Sequence, residues 1–333
     1  MPLSDLATVY LPAVEEEMRR VVGTVPESLA GYHEMLTYHL GWTDGADAGK
    51  RIRPLLALLC CTAAGGNWKS ALPLAAAIEL IHNFSLIHDD IQDRSPTRRG
   101  RPTVWAKWGA AQAINAGDAM FTLAHLAPQR LTVWQVDPAT ALWVLERLDQ
   151  TCLALTQGQY LDMSFEERRR VTVAEYLAMI EGKTGALIAA SAQLGARLGG
   201  VEGVRLDHFR EFGLSLGLAF QIQDDLLGIW GNEALTGKSA LSDIEARKKT
   251  LPVVFGLEHS DLFAEAYAQP HQPGDSSSAL AATLAELGAK DYVERQAAQM
   301  TQAALSHLEA AQPGQAAGAA LRELTAQLLG RQK

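Results

Sequence analysis

Two acidic clusters, Asp89-Asp90-Ile91-Gln92-Asp93 and Asp224-Asp225, each close an apolar stretch that repeats at helical spacing. Carboxylates grouped at the end of such a helix repel one another and lose hydration, so a fold that keeps them must also supply a cation. Ahead of the first cluster, Leu72 to His88 is rich in helix formers and apolar on most sides, which predicts a buried helix. On that helix Asp89 and Asp93 lie one turn apart on one face, with Asp90 about 100° round, so three carboxylates converge at one helix end. Phe212 to Phe220 leads to Gln221, Asp224 and Asp225 in the same way. Two helices can therefore present carboxylates to one cavity, and the requirement that they meet favours one domain over residues 1–333.

The donors in these clusters are hard oxygens, with no Cys and no His-x-x-x-His spacing among them, which favours Mg²⁺ over zinc or copper. Such an ion would keep several waters and take phosphate oxygens to complete its octahedron. The basic residues point to the same ligand. Arg94, Arg98, Arg99 and Arg101 follow the first cluster, Lys238, Arg247, Lys248 and Lys249 follow the second, and Lys50, Arg51 and Arg53 form a third group. Arg forks bind phosphate bidentately and Lys binds it as a point charge, so cations beside metal-loaded carboxylates describe a diphosphate site. Nucleic acid fits poorly: the net charge is −9, from 38 Asp plus Glu against 29 Lys plus Arg, and there is no basic stripe with interleaved aromatics.

The rest of the chain reads as all-α. Apolar residues recur at helical spacing through Leu6 to Val22, Ala139 to Leu161 and Val173 to Leu198, with Pro138 suited to a first helical turn and Thr172-Val173-Ala174-Glu175 forming a capping box. With 48% hydrophobic residues the chain can bury a large helix-bundle core around a cavity. Residues 268–278, Ala268 to Ser278, read as a flexible stretch that separates the last helices from the motif-bearing part. Three cysteines, Cys60, Cys61 and Cys152, lack scaffold spacing, and the N-terminus lacks a basic-then-apolar leader, so the expectation is a cytoplasmic protein without a membrane span.

His82 to Thr103 resembles the first aspartate-rich motif, DDxxD followed by RRGxP, of the trans-isoprenyl diphosphate synthases, also called polyprenyl synthetases. Gly49-Lys50-Arg51-Ile52-Arg53-Pro54 resembles their GKxxRP, Gly158-Gln159-Tyr160-Leu161-Asp162 their GQxxD, and Lys183-Thr184 their KT pair. Gln221-Ile222-Gln223-Asp224-Asp225 opens the second aspartate-rich motif, which Gly237-Lys238 and Ser242 to Lys248 complete. Six motifs in family order, over roughly residues 45 to 255, are far more specific than any single DDxxD.

The resemblance implies an isoprenoid-synthase-type helix bundle around a central active-site cavity, usually a homodimer. It implies that Asp89, Asp90, Asp93, Asp224 and Asp225 hold Mg²⁺, three ions in the family, which bridge the allylic diphosphate with help from Arg98, Lys183 and Lys238. Lys50, Arg53, His82 and Arg99 would bind the diphosphate of isopentenyl diphosphate, Lys248 would add to the substrate cations, and Thr184 and Gln221 would line the reacting centre. No protein nucleophile is needed, and the chain shows no persuasive Ser/His/Asp or Cys/His arrangement. Product length should be read at Ser85, one turn beneath Asp89, and at Phe84, five residues before it and about 7.5 Å down the axis. One large and one small side chain there resemble geranylgeranyl diphosphate synthases, which favours a C20 product over C15.

One position departs from the family pattern. Asp224-Asp225-Leu226-Leu227-Gly228 lacks the third carboxylate, so Asp224 would carry its metal with waters filling the gap. The same departure keeps a non-catalytic or partner-dependent subunit as an alternative. A class I terpene cyclase shares the first motif but should carry an NDxxSxxxE-like second one, which this segment does not resemble. Blander readings stand beside the sharp ones: His82 as a satisfied core histidine, His88-Asp89 as the HD pair of a phosphohydrolase, and Gln159 with Asp162 as a helix-packing polar pair.

Overall fold

The structure, a computed structural model, describes residues 2–43, 47, 49–231, 241–269 and 277–330. The chain divides into two compact units: Met1–Asp149 with Ser191–Leu206 and Pro313–Leu321, and Gln150–Ala190 with Asp207–Gln312 and Arg322–Lys333. In chain order the first elements are α1 (Leu3–Val22), α2 (Ala30–His39), α3 (Ile52–Ala63), α4 (Leu72–Gln92), strands β1 (Thr97–Arg98) and β2 (Arg101–Pro102), α5 (Val104–Trp108) and α6 (Ala110–Leu126). There follow α7 (Pro138–Glu167), α8 (Val173–Ile180), a π-helical turn (Glu181–Gly185), α9 (Ala186–Leu198) and α10 (Gly203–Trp230). The last are α11 (Ser242–Glu245), α12 (Leu251–His259), α13 (Asp261–Tyr267), α14 (Ser277–Glu286), α15 (Ala289–Ala310) and α16 (Gln315–Leu329). The all-α expectation is met.

The first unit is organised around α4. Leu74, Ala75, Ala76, Ala77, Ile78, Leu80 and Ile81 are fully buried, so the helix is apolar on all sides because it is surrounded. Helix α6 meets it through Ala113, Ala116 and Gly117, whose small side chains let the two backbones approach closely, and the His88 ring lies over Gly117. Helices α1 and α3 cover other faces of α4. Trp68–Gln92 is long and apolar enough to cross a membrane by composition, with mean hydropathy 1.4, which departs from the expectation that no run would be; 83% of that window is buried inside the protein.

In the second unit, Phe165, Tyr176, Ile180, Ile222, Leu226, Leu251 and Val254 form one buried cluster, and Ile229, Ile244, Val253, Phe263 and Leu284 another. Two expected boundaries differ. The helical pattern over Val173 to Leu198 is interrupted by the π turn, and α10 runs on past Asp224 and Asp225 to Trp230. The acidic pair therefore sits within a helix and not at its end, because Leu226 and Ile229 continue the buried face. The flexible reading of residues 268–278 falls largely on Pro270–Ser276, outside the described residues.

Candidate active site

The first cluster occupies the C-terminal turn of α4. Asp89 and Asp90 are in the last turn and Asp93 is the C-cap, its N–H donating to Asp89 O at 2.8 Å. This is the negative end of the helix dipole, so three carboxylates placed there increase an existing excess of negative charge. The three do not share one environment. Asp90 is 2% exposed and is gripped by the Arg98 fork, whose Nε donates to both carboxylate oxygens at 2.9 and 3.0 Å. Its pKa is nonetheless raised, because burial outweighs the attraction of Arg98. Asp89 is half-buried and Asp93 exposed. The His88 ring turns toward α6, 3.4 Å from Ile114 O, so the HD reading finds no chelating pair here.

Arg98 is delivered by a hairpin that the sequence reading did not anticipate. Strands β1 and β2 pair antiparallel, Arg98 opposite Arg101, across a turn in which Arg99 (φ 52°) and Gly100 (φ 74°) both have positive φ, the pattern that suits two-residue hairpins. Its base is fixed by Trp105 Nε1 and Thr103 Oγ1, which both donate to Ser95 O, and by Tyr38 OH, which donates to Pro102 O. Two-residue strands are too short to show alternation, which is why the pattern was not visible.

Beside it lies a cationic nest. Arg51, also in a left-handed backbone (φ 47°), is buried and fully satisfied: Nε donates to Glu15, NH1 to Glu79, and NH2 to Leu40 O. Arg51 thus anchors the chain between its neighbours Lys50 and Arg53. Gly49 has φ +84°, and a Cβ there would lie 2.6 Å from an Arg99 guanidinium nitrogen, so the loop and the hairpin tip pack through the absence of a side chain. Arg53 NH1 lies 3.3 Å from His82 Nε2. An arginine can only donate, so that imidazole nitrogen accepts and carries no proton. Burial, then Arg53, Arg99 and Arg98, holds His82 well below the usual histidine range. His39 is likewise neutral, pulled down to about 3 by burial and by Arg99, Arg98, Arg101 and Arg51.

The second cluster lies in the second unit and repeats the asymmetry of the first. Asp224 is half-buried, whereas Asp225 is 4% exposed. Asp225 Oδ2 accepts from Leu251 N at 2.8 Å and from Tyr176 OH, and Oδ1 accepts from Gln221 Nε2 at 3.0 Å. Burial, offset in part by these donors, raises its pKa to about 7. Gln221 in turn accepts from Thr184 Oγ1 at 3.0 Å, so Thr184, Gln221, Asp225 and Tyr176 form one chain of hydrogen bonds. The Asp90 carboxylate is thus bonded to Arg98 and the Asp225 carboxylate to Tyr176, Leu251 N and Gln221, whereas Asp89 and Asp224 are half-buried and Asp93 is exposed.

Lys183 and Thr184 sit in the π turn, a distortion common at functional positions. Lys183 Nζ is paired with Asp162 of α7, so Asp162 is a lysine anchor and not a packing partner of Gln159 alone. The turn rests on Gly158: a Cβ there would lie 2.2 Å from Lys183 N. Lys248 is exposed, and Lys238 lies outside the described residues. Phe84 and Ser85 are buried; Ser85 Oγ donates to His82 O at 2.8 Å, and the Phe84 ring meets Phe121 of α6 edge to face at 5.1 Å. Sequence reasoning missed Glu79, Tyr176 and His39. Glu79 carried a signal, a carboxylate inside an apolar helix, which burial permits only with a partner. Tyr176 and His39 carried none, because their roles arise from long-range contacts.

Among the described residues no group of three or more His, Cys, Asp or Glu closes around a point as a self-sufficient metal cage. One or two carboxylates completed by phosphate oxygens and water is the arrangement Mg²⁺ accepts, and the Asp89–Asp93 pair of the first unit and Asp224 of the second each offer oxygen donors of that kind.

A family model described as Polyprenyl synthetase matches residues 35–284. The chain is 46% identical over 231 residues to a (2E,6E)-farnesyl diphosphate synthase of Mycobacterium tuberculosis, covering 68% of this chain but 63% of that relative's length. It is 38% identical over 302 residues to a geranylgeranyl diphosphate synthase of the same species, covering 87% of this chain and 84% of the relative. The crystal structure of a polyprenyl synthetase from Streptomyces coelicolor A3(2) superposes with a TM-score of 0.87 at 34% identity, over 98% of both chains.

Two outcomes are expected from these contacts. Gly158→Ala drives a methyl into the backbone of the π turn, so it should lower stability by about 1–3 kcal/mol in urea unfolding and displace Lys183 and Thr184. His39 is ordinarily protonated below pH 6.5, so between pH 6.5 and about 3 the folded state binds fewer protons than the unfolded chain. The stability this neutral ring contributes is complete above pH 6.5 and is lost as pH falls toward 3. His39→Gln should soften that acid loss, by up to about 5 kcal/mol at the acid end, in unfolding series at stepped pH.

Proposed function

The chain belongs to the polyprenyl synthetase family, and on that premise we propose that it is a Mg²⁺-dependent trans-prenyltransferase. It joins isopentenyl diphosphate to an allylic diphosphate and favours a C20 product over C15. The observation that carries this reading is the division of labour in each Asp-Asp pair: one carboxylate half-exposed, the other buried and holding a cation or a hydrogen-bond chain. A solvated acidic face would not spend buried carboxylates in this way.

In this reading Asp89 and Asp93 of the first unit, and Asp224 of the second, are the carboxylates that would hold metal ions. Mg²⁺ supplies Lewis-acid neutralisation of the negative charge on the departing diphosphate. Lys50, Arg53, Arg99 and neutral His82 bind the acceptor diphosphate; because His82 Nε2 already accepts from Arg53, the arginine is oriented before substrate arrives. Arg98 and Lys183 add positive charge at the allylic diphosphate, with Lys238 and Lys248 in the same role. Asp90 and Asp162 are positioning residues, since they aim Arg98 and Lys183 respectively. Once the allylic C–O bond breaks, the acceptor's double bond attacks the allylic cation, and the proton lost from the adduct passes to the released diphosphate. Thr184 and Gln221, tied to buried Asp225, hold a fixed polar lining at the reacting centre.

The C20 preference rests on Ser85 and Phe84. Ser85 bonds its own helix and projects little, so the space one turn beneath Asp89 is not closed by an aromatic ring, while Phe84 is braced by Phe121. Exposed Ile114, Phe121 and Leu126 on α6 support a homodimer, and the three buried free thiols suit a reducing cytosol.

Incubation of the protein with Mg²⁺, radiolabelled isopentenyl diphosphate and, separately, dimethylallyl, geranyl and farnesyl diphosphates tests the reading. Label should enter a C20 diphosphate and vanish in Asp89→Ala; absence of label with every allylic partner would point instead to the partner-dependent subunit. Ser85→Phe should shift the longest product from C20 to C15 on the same chromatograms.

A further inference from the structure

Of three consecutive glutamates in α1, only Glu16 is exposed, and it pairs with Arg20 one turn on. Glu17 is buried and accepts from Arg130 Nε at 2.6 Å, in the 3₁₀ helix Ala127–Trp134. Glu15 turns to the basic nest instead. Its Oε1 accepts from Arg51 Nε at 2.7 Å and its Oε2 from Trp42 Nε1, so both oxygens are engaged. The Arg19 guanidinium, one turn along α1, stacks over the Trp42 ring at 4.3 Å from its centroid.

Glu15 and Glu79 reach Arg51 from two different helices, and Leu40 O, just past α2, accepts from its NH2 at 2.9 Å. The Arg51 and Glu79 side chains are each 3% exposed. Arg51 has φ 47°, a backbone that a residue with a side chain holds only against a penalty. It stands directly before α3, where the chain passes from Lys50 into the first helical turn and Arg53. The relative placement of Lys50 and Arg53 is therefore set at this one left-handed residue. An arginine bonded to three segments cannot relax to a right-handed backbone without breaking those bonds. The clamp also answers charge, because one guanidinium between two carboxylates leaves negative charge over. Burial, and then Arg51, pull the Arg99 pKa below its ordinary value, and Glu79 pulls the other way.

We infer that Glu15 is a positioning residue for the acceptor diphosphate: acting through Arg51, it sets where Lys50 and Arg53 stand. Helix α1 thereby takes part in the site although it precedes the first of the motifs. The inference rests on the proposed reading of Lys50 and Arg53 as ligands of isopentenyl diphosphate. Glu17 has no such role, because Arg130 belongs to none of the three basic groups.

The test is steady-state elongation by the full chain, with isopentenyl diphosphate varied at a saturating allylic diphosphate and then the reverse. Glu15→Gln keeps the side chain's size but leaves one acceptor oxygen for two donors. It should raise the KM for isopentenyl diphosphate by about fivefold or more, with kcat and the allylic KM within about twofold of the parent. Glu17→Gln breaks a buried ion pair of the same helix, so it should lower the urea midpoint yet leave both KM values within about twofold. In Arg51→Ala, whose acceptor KM should already be raised, adding Glu15→Gln should change that KM by less than about twofold, because the route from Glu15 is gone. A parental acceptor KM in Glu15→Gln, an equal rise in both KM values, the same acceptor effect in Glu17→Gln, or a further rise in the double variant would overturn the inference. If Glu15→Gln does not fold by circular dichroism, Trp42→Phe, which withdraws the donor to Oε2, decides: the acceptor KM should rise by at least about twofold, and no rise overturns the inference. A parent that elongates no allylic diphosphate sinks this inference and the proposed function together, whereas an active Glu15→Gln with parental KM sinks this inference alone.

Discussion

An excess of negative charge at the C-terminal end of α4 governs the chemistry of the first unit. The helix dipole already places partial negative charge there, and Asp89, Asp90 and Asp93 add three carboxylates to it. Part of that charge is answered by burying Asp90 against Arg98. Burial of α4 on every side prevents the helix end from fraying away from the problem, because unwinding it would expose Ile87 and Ile81. The carboxylates at that helix end and the arginine nest beside them are thus held in fixed positions.

Both Asp-Asp pairs resolve the same conflict in the same way. Adjacent residues on a helix point about 100° apart, so one carboxylate can face outward while its neighbour enters the core. The inward member must be paired, and each pairing fixes a second group: Asp90 fixes Arg98, and Asp225 fixes Gln221 and Tyr176. Preorganised dipoles and cations of this kind need no rearrangement as charge develops on a leaving group, which is where electrostatic catalysis gains its advantage.

The backbone carries part of the cost. Arg51, Arg94, Arg99 and Arg247 all adopt positive φ, a conformation that side chains rarely take without compensation. All four lie in the three basic groups of the sequence. For Arg51 the compensation is explicit, three hydrogen bonds to Glu15, Glu79 and Leu40 O. The π turn at Lys183 and Thr184 is a further distortion, and it persists because Gly158 leaves room for the turn's backbone.

Much of this was legible in the residue order. Helical periodicity predicted an all-α chain, and the spacing of the acidic clusters, basic loops and Lys183-Thr184 predicted the candidate ligands, because local repeat and side-chain chemistry are written residue by residue. The capping box at Thr172 and Glu175 forms as read. What the sequence could not reveal is which of two adjacent aspartates is buried, since that depends on Arg98 and Leu251, eight and 26 residues away along the chain. Nor could it show that the gap at Gly228 is occupied by Asp243: a missing side chain is visible in a sequence, but what fills the space is decided only when two segments are packed together. Residue types and their spacing thus determined the fold class and the chemistry on offer, while tertiary packing decided which carboxylates are buried and paired, because burial and pairing are properties of neighbours in space.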